Sequence, residues 1–274
     1  MTTTTTTAGL RAEGVSKSFY GNRVLDDLAL EIAPGSVHAL LGHNGSGKST
    51  FIKILAGYYD PDEGSGPITV GDRAVRPGDP DSSQAAGIAF VHQTLGLVPS
   101  LSVLENLRLG RPWSTNAAGK IAWRQERAQA RAALEAFGLH GISPDALVGD
   151  LNTVEQTEVA IVRALDAGDE IRLLVLDEAT AALTDHEVRK LFTTLGHVQR
   201  RGVATLYVTH RLEEIPLIAD DVTVLRDGKT VGQGPIAEFP RDRLVALIAG
   251  GPPSGPPATT SEAAPAADAV AGVV

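Results

Sequence analysis

The nine residues Gly42-His43-Asn44-Gly45-Ser46-Gly47-Lys48-Ser49-Thr50 bring together the groups that hold a polyphosphate. They fit the spacing of a glycine, four residues, then Gly-Lys and Ser or Thr, in which backbone amides make most of the anion site. Glycines at 42, 45 and 47 let the chain curl until successive N–H groups face inward. In that arrangement Lys48 reaches the β- and γ-phosphates, and the Ser49 hydroxyl meets a Mg2+ ion. The plainer reading is a glycine turn with a surface lysine, but a chance match in such a chain is on the order of a percent at average glycine usage.

Asp177 and Glu178 end the apolar run Ile171-Arg172-Leu173-Leu174-Val175-Leu176. Ligands collect where the strands of a parallel sheet stop. There Asp177 would hold Mg2+ through water, and Glu178 would orient or deprotonate an attacking water. Two acids after a strand also cap helices, so the pair acquires catalytic meaning only beside a phosphate loop. The two segments together specify a nucleoside triphosphatase without saying which kind.

Placing these groups requires a frame of short buried strands and covering helices. Val37–Leu41 (VHALL) reads as a buried strand running into the glycine turn. Residues 48–57 (KSTFIKILAG) read as the helix leaving it, stopped by Gly57 and presenting its positive end to the same phosphates. Further strands are expected over 87–91 (GIAFV), 173–176 and 203–208, with a helix over 185–200. Residues 10–32 and 67–75 alternate apolar and polar side chains, as an antiparallel flank does. From about 95 to 165 strand signals vanish and helical ones take over, notably at 123–137 and 154–165. The expected fold class is α/β, a P-loop nucleoside triphosphatase fold with a mostly parallel core sheet, an antiparallel β flank and a helical lobe inserted at about 96–165. No internal repeat is present, so one such unit is expected over 10–250. The low-complexity stretches 1–9 and 251–274, rich in Thr and in Pro, Ala and Gly, read as tails.

Composition narrows the partners. The 274 residues carry 24 Lys and Arg against 33 Asp and Glu, a formal net charge of −9, which disfavours a nucleic-acid footprint. With no cysteine, disulfides and thiolate metal sites are excluded. No apolar run approaches the ~20 residues of a membrane helix, and the N-terminus lacks signal-peptide character. A cytoplasmic chain is expected, peripheral on the inner face of the membrane if a partner recruits it.

The order of GHNGSGKST, FVHQ, LNTVEQ, LLVLDEATAAL and YVTHR along the chain resembles the ATP-binding cassette (ABC) family over nearly the whole of 10–250. The resemblance implies ATP and Mg2+ as cofactors and ATP hydrolysis as the activity. It assigns Gln93 to Mg2+, the attacking water and coupling to a membrane domain. It assigns His210 to the γ-phosphate and Phe19, in SKSFYGN, to stacking on adenine, with Tyr20 beside it. The phrases DEATAALT, LEEIPLIADDVTVLRDGK and LSVLENL resemble the subclass that energises monosaccharide uptake, in which Thr184 replaces a usual aspartate. That implies a second ATPase cassette facing this one head to tail, a transmembrane permease and, indirectly, a sugar-binding protein. Rivals are a nucleotide-dependent regulatory cassette with little turnover and a non-transport cassette ATPase.

One motif departs from the family. The signature belongs at Leu151–Gln156, where Asn152 stands for its serine and Val154 for its second glycine, with Thr153 and Glu155 between and after them. In the family this helix N-terminus donates hydrogen bonds in trans to the γ-phosphate. Asn152 followed by Glu155 three residues later is equally a plain helix cap. Both readings stand at this level. Ala179, where proline is usual, is a smaller departure affecting loop stiffness.

Overall fold

A computed structural model describes residues 9–166 and 170–251, so the bulk of both expected tails lies outside the described residues. Six strands make the central sheet: β3 (Val37–Leu41), β6 (Ile88–His92), β7 (Leu173–Asp177), β8 (Ala204–Val208), β9 (Asp221–Arg226) and β10 (Lys229–Pro235). Their spatial order is β10-β9-β3-β8-β7-β6, parallel throughout except for the β9–β10 hairpin. β3 and β8 are buried along their whole length, as expected of parallel strands covered on both faces. A second, antiparallel sheet of β1 (Leu10–Phe19), β2 (Asn22–Ile32), β4 (Ile68–Val70) and β5 (Arg73–Ala74) forms the flank in the order β2-β1-β4-β5.

The period-2 alternation of strand side chains divides the interior in two. Leu40, Val175, Leu206 and Val208 face the flank, where they pack with Leu10, Leu25, Leu28 and with Phe51 of α1 (Lys48–Leu55). Ala39, Leu41, Leu174, Leu176 and Tyr207 face the opposite way, against the helices of the second half of the chain. These are α3 (Val103–Arg108), α4 (Trp123–Glu135), α5 (Thr153–Leu165) and α6 (Asp185–Arg200), while α2 (Pro80–Ala85) lies beside β6. Between β6 and β7 the described elements are helical, tied by a β-bridge between Ser102 and Leu147 and by the buried Glu126, which accepts from Arg108 and the Ser114 amide.

α1 ends at Leu55 rather than at 57, with Gly57 at φ +74° just beyond its cap, which is the stop that glycine supplies. The β9–β10 hairpin, α7 (Ile215–Ile218) and α8 (Arg241–Ala249) carry weak sequence signals. β10 contains two glycines and a proline, and α7 spans only one turn. Among the described residues no helix is long and apolar enough to cross a membrane.

Candidate functional site

Strand register decides what gathers at one edge. Leu40 pairs with Val208, Val208 with Asp177, and Asp177 with His92. The four strands therefore stop level, and the segments that follow them, 42–47, 178–183, 209–211 and 93–97, all leave from the same edge. Lys48, Ser49, Thr50, Asn44, Gly45 and Gly47 line one cavity of about 230 Å3 with Asp177 and Glu178.

The loop is built so that only glycine fits at its tightest points. A Cβ on Gly42 would stand 2.3 Å from the Leu225 carbonyl oxygen, and one on Gly47 would stand 2.6 Å from Leu25 Cδ2. Gly47 sits at φ +110° and serves as N-cap of α1 with no side-chain acceptor for the first amides. Those N–H groups therefore remain available to an anion. Lys48, only 7 % exposed, folds back so that Nζ donates to the carbonyls of Gly42 (2.7 Å) and His43 (3.1 Å). Burial pushes its pKa down, and the charges of Glu178 and Asp177 oppose that shift. His43 keeps its ring beside the Asn44 carbonyl (2.7 Å) and Asp227 (3.4 Å). Ser46 is buried with its hydroxyl unpartnered, against Gly42.

Glu178 has a left-handed backbone, φ +53°, unusual for a side chain with a Cβ and costing on the order of 1–3 kcal/mol. Its amide is held by the Val208 carbonyl at 2.9 Å. Across the strand gap, His210 Nδ1 lies 3.6 Å from Glu178 Oε1, and His92 Nδ1 lies 3.5 Å from Asp177 Oδ2. Gln93 is exposed directly after β6 and does not line the cavity. Phe19, half-buried at the end of β1, packs edge-to-face on Tyr59 with centroids 5.2 Å apart, and Lys17 Nζ lies 5.3 Å from its ring. The neighbouring Tyr20 is fully exposed.

No group of three or more His, Asp or Glu that would hold a metal by itself exists among the described residues. A hydroxyl at Ser49 and a carboxylate at Asp177 on one cavity are nevertheless the donor types of a Mg2+ ion that takes its remaining ligands from phosphate and water.

The LNTVEQ segment lies apart from that cavity. Asn152 caps α5, its Oδ1 accepting from the Glu155 amide (3.0 Å) while Glu155 Oε2 accepts from the Asn152 amide (3.1 Å). The cap expected as one of two readings is thus formed. Val154 points into the helical core at 2 % exposure, so its side chain does not stand in front of the helix end.

A parallel sheet whose strand ends carry a glycine-rich loop, an uncapped helix N-terminus and an Asp-Glu pair defines a P-loop nucleotide-binding domain. The ABC transporter family model matches residues 25–181, more than half of the chain, and the chain belongs to that family. It is 45% identical over 242 residues to ribose import ATP-binding protein RbsA 2 of Rubrobacter xylanophilus, covering 88% of this chain and 46% of that one. It is 42% identical over 241 residues to ribose import ATP-binding protein RbsA 2 of Streptomyces coelicolor, covering 88% and 45%. The chain thus spans about half the length of the curated relatives it matches. Among solved structures it resembles the ADP conformation of an ATP-binding cassette of an ABC transporter, with a TM-score of 0.75, 26% identity, and coverage of 89% of this chain and 99% of that one.

Proposed function

We propose that this chain binds ATP with Mg2+ and hydrolyses it to drive uptake of a monosaccharide through a membrane permease. The observation that carries the reading is the single cavity shared by Lys48, Ser49, Asp177 and Glu178 at the ends of β3 and β7. In the proposed mechanism the amides of 42–50 cradle the phosphates, and Lys48 releases its two carbonyl partners to meet the β- and γ-oxygens. A bound Mg2+, held by Ser49 and Asp177 with help from Gln93, would neutralise developing charge on the phosphates. Glu178 accepts a proton from the attacking water, and His210 beside it contacts the γ-phosphate. Phe19 offers its ring to adenine.

The sugar comes from the relatives' names, which are ribose import ATP-binding proteins. The remaining components are a second cassette, in the same or another polypeptide, and a sugar-binding protein. The workplace is the cytoplasmic face of the membrane. The unit that does this is 10–250, with its helical lobe at about 96–165. A low-turnover regulatory cassette is the second reading, favoured by the self-capped end of α5.

Two measurements test the proposal. Binding of a fluorescent ATP analogue and phosphate release, each with and without Mg2+, should both be present and both fall in Lys48→Ala. Uptake of labelled ribose, xylose and galactose by cells carrying the same change should drop for one of them. ATP binding without any Mg2+-dependent phosphate release would favour the regulatory reading.

A further inference from the structure

Beside Glu178 and His210 in the chain lies a knot of buried polar side chains that the proposed reaction does not use. Its centre is Glu214, 3 % exposed. One carboxylate oxygen, Oε2, accepts from the Thr180 hydroxyl (3.0 Å), the Thr209 hydroxyl (3.3 Å) and the Tyr207 phenol. The other, Oε1, faces the Arg211 guanidinium at 2.9 Å, a charge contact without hydrogen-bond alignment. Arg211 reaches onward to the carbonyls of Leu183 (2.8 Å) and Thr180 (3.4 Å) and to the Asp185 carboxylate. Thr180, Tyr207 and Thr209 are each at most 2 % exposed.

Besides Tyr207 near the end of β8, the donors come from two different loops. Thr180 lies two residues after Glu178, and Arg211 binds the far end of the same turn at Leu183 and Asp185. Thr209 immediately precedes His210, and Arg211 follows it. We infer that Glu214 is a positioning residue, tying the loop of Glu178 to the loop of His210 and so fixing the gap between those two side chains. The inference rests on the proposed hydrolysis for its consequence, but the tie itself is a property of the fold.

Proton counting makes the carboxylate hard to replace. Three hydroxyls converge on one oxygen, with Thr180 Oγ1 and Tyr207 Oη also 3.0 Å from each other, while its twin faces a cation. In Glu214→Gln one oxygen can still accept, but the amide NH2 then opposes the Arg211 guanidinium, donor against donor. Buried polar groups left without a partner are costly, so the knot has no cheap second arrangement. Burial and the Glu214 carboxylate also push the Tyr207 phenol far above the usual tyrosine range, keeping it a donor at any working pH.

The experiment compares wild type, Glu214→Gln and Tyr207→Phe, the last removing one hydroxyl and serving if the first does not fold. Hydrogen exchange by mass spectrometry should quicken in 178–185 and 209–214 together, with 42–50 unchanged. Single-turnover hydrolysis should fall at least tenfold in Glu214→Gln and severalfold in Tyr207→Phe, while ATP affinity stays within about twofold. In a Glu178→Gln background, Glu214→Gln should have no further effect on the rate. Faster exchange confined to 209–214, or a rate loss that adds fully to that of Glu178→Gln, would overturn the tie. A wild type that hydrolysed nothing would sink the proposed function, and the exchange result would still decide the tie.

Discussion

His210 Nδ1 stands 3.6 Å from Glu178 Oε1, a charge contact just beyond hydrogen-bond distance, with neither side chain buried. The two residues follow adjacent parallel strands, and the Glu178 amide bonds the Val208 carbonyl, so sheet register brings their two loops level and leaves the exact gap to the contacts between the loops. Glu178 is held at φ +53°, at the cost of backbone strain. Such strain persists where surrounding bonds impose it, here one amide bond on the sheet side and the Ala181 amide to Glu178 carbonyl bond (3.1 Å) beyond.

Glu178→Gln should leave ATP affinity close to wild type and slow single-turnover hydrolysis by roughly 10²–10⁴, the usual worth of a positioned base. The amide keeps the shape and loses the proton acceptor. Rapid-quench measurement at saturating ATP checks it, and near-normal hydrolysis would remove Glu178 from the chemistry.

Lys48→Ala should act on the other step. Lys48 Nζ already occupies the mouth of the loop on the carbonyls of Gly42 and His43, partners that the proposed mechanism has it exchange for phosphate. Its loss should weaken ATP at least tenfold, because a charge-assisted contact typically contributes about 1.5–3 kcal/mol. AMP, lacking the outer phosphates, should be hardly affected. Equal losses for ATP and AMP in titration calorimetry would place Lys48 outside the phosphate site.

His38 gives a prediction about stability rather than turnover. It lies in the middle of β3 at 2 % exposure, with Nε2 bonded to Thr223 Oγ1 at 2.8 Å and Nδ1 unpartnered. Burial pushes its pKa from 6.5 to about 4. The folded chain therefore resists a proton that the unfolded chain takes up near pH 6.5. Stability is full above that pH and falls as the pH drops toward 4, by about 2 kcal/mol at pH 5 from this group alone. Urea midpoints of wild type and His38→Gln should converge as pH falls from 7.5 to 5. Parallel pH profiles would show that His38 is not the titrating group.

Much of this site was legible because its chemistry is contiguous in the chain. The loop 42–50 and the run ending in Asp177-Glu178 announce themselves by glycine spacing and by an apolar strand closing on acids. The parallel sheet followed from runs such as LLVL and ATLYV that are apolar on both faces. The Glu214 knot was not legible, because its donors come from positions 180, 207, 209 and 211 and meet only once β7 and β8 lie side by side. Nor was the backbone of Glu178, since nothing in its residue type favours a positive φ. Of the two readings of Asn152, the cap within the chain is the one formed.

That end of α5 supports the last prediction. At α1 the first amides face the cavity without a side-chain acceptor, whereas at α5 Asn152 and Glu155 already satisfy two of them. The Glu155 carboxylate also puts a negative charge, which Lys190 Nζ approaches only to 3.9 Å, where an incoming phosphate would need positive potential. A homodimer of this chain, if it forms the head-to-tail arrangement proposed for the family, should therefore turn ATP over slowly. Losing a transition-state donor of this kind typically costs ~10²–10³ in rate. Asn152→Ser combined with Val154→Gly should raise the concentration-dependent rate at least tenfold without changing ATP affinity in the monomer, because glycine in the first turn lets the capped end of α5 open so that its amides and the serine hydroxyl can turn to phosphate. The two changes differ in what they do to the fold. Serine caps a helix about as well as asparagine, so Asn152→Ser should leave the melting temperature nearly unchanged. Val154 is buried at 2 %, so Val154→Gly opens a cavity and loosens the first turn of α5, a loss on the order of 2–4 kcal/mol. A faster but less stable double variant is the expected result. Brisk hydrolysis by the unmodified chain that the double change does not improve would mean that Asn152 and Glu155 open their cap when a second cassette docks.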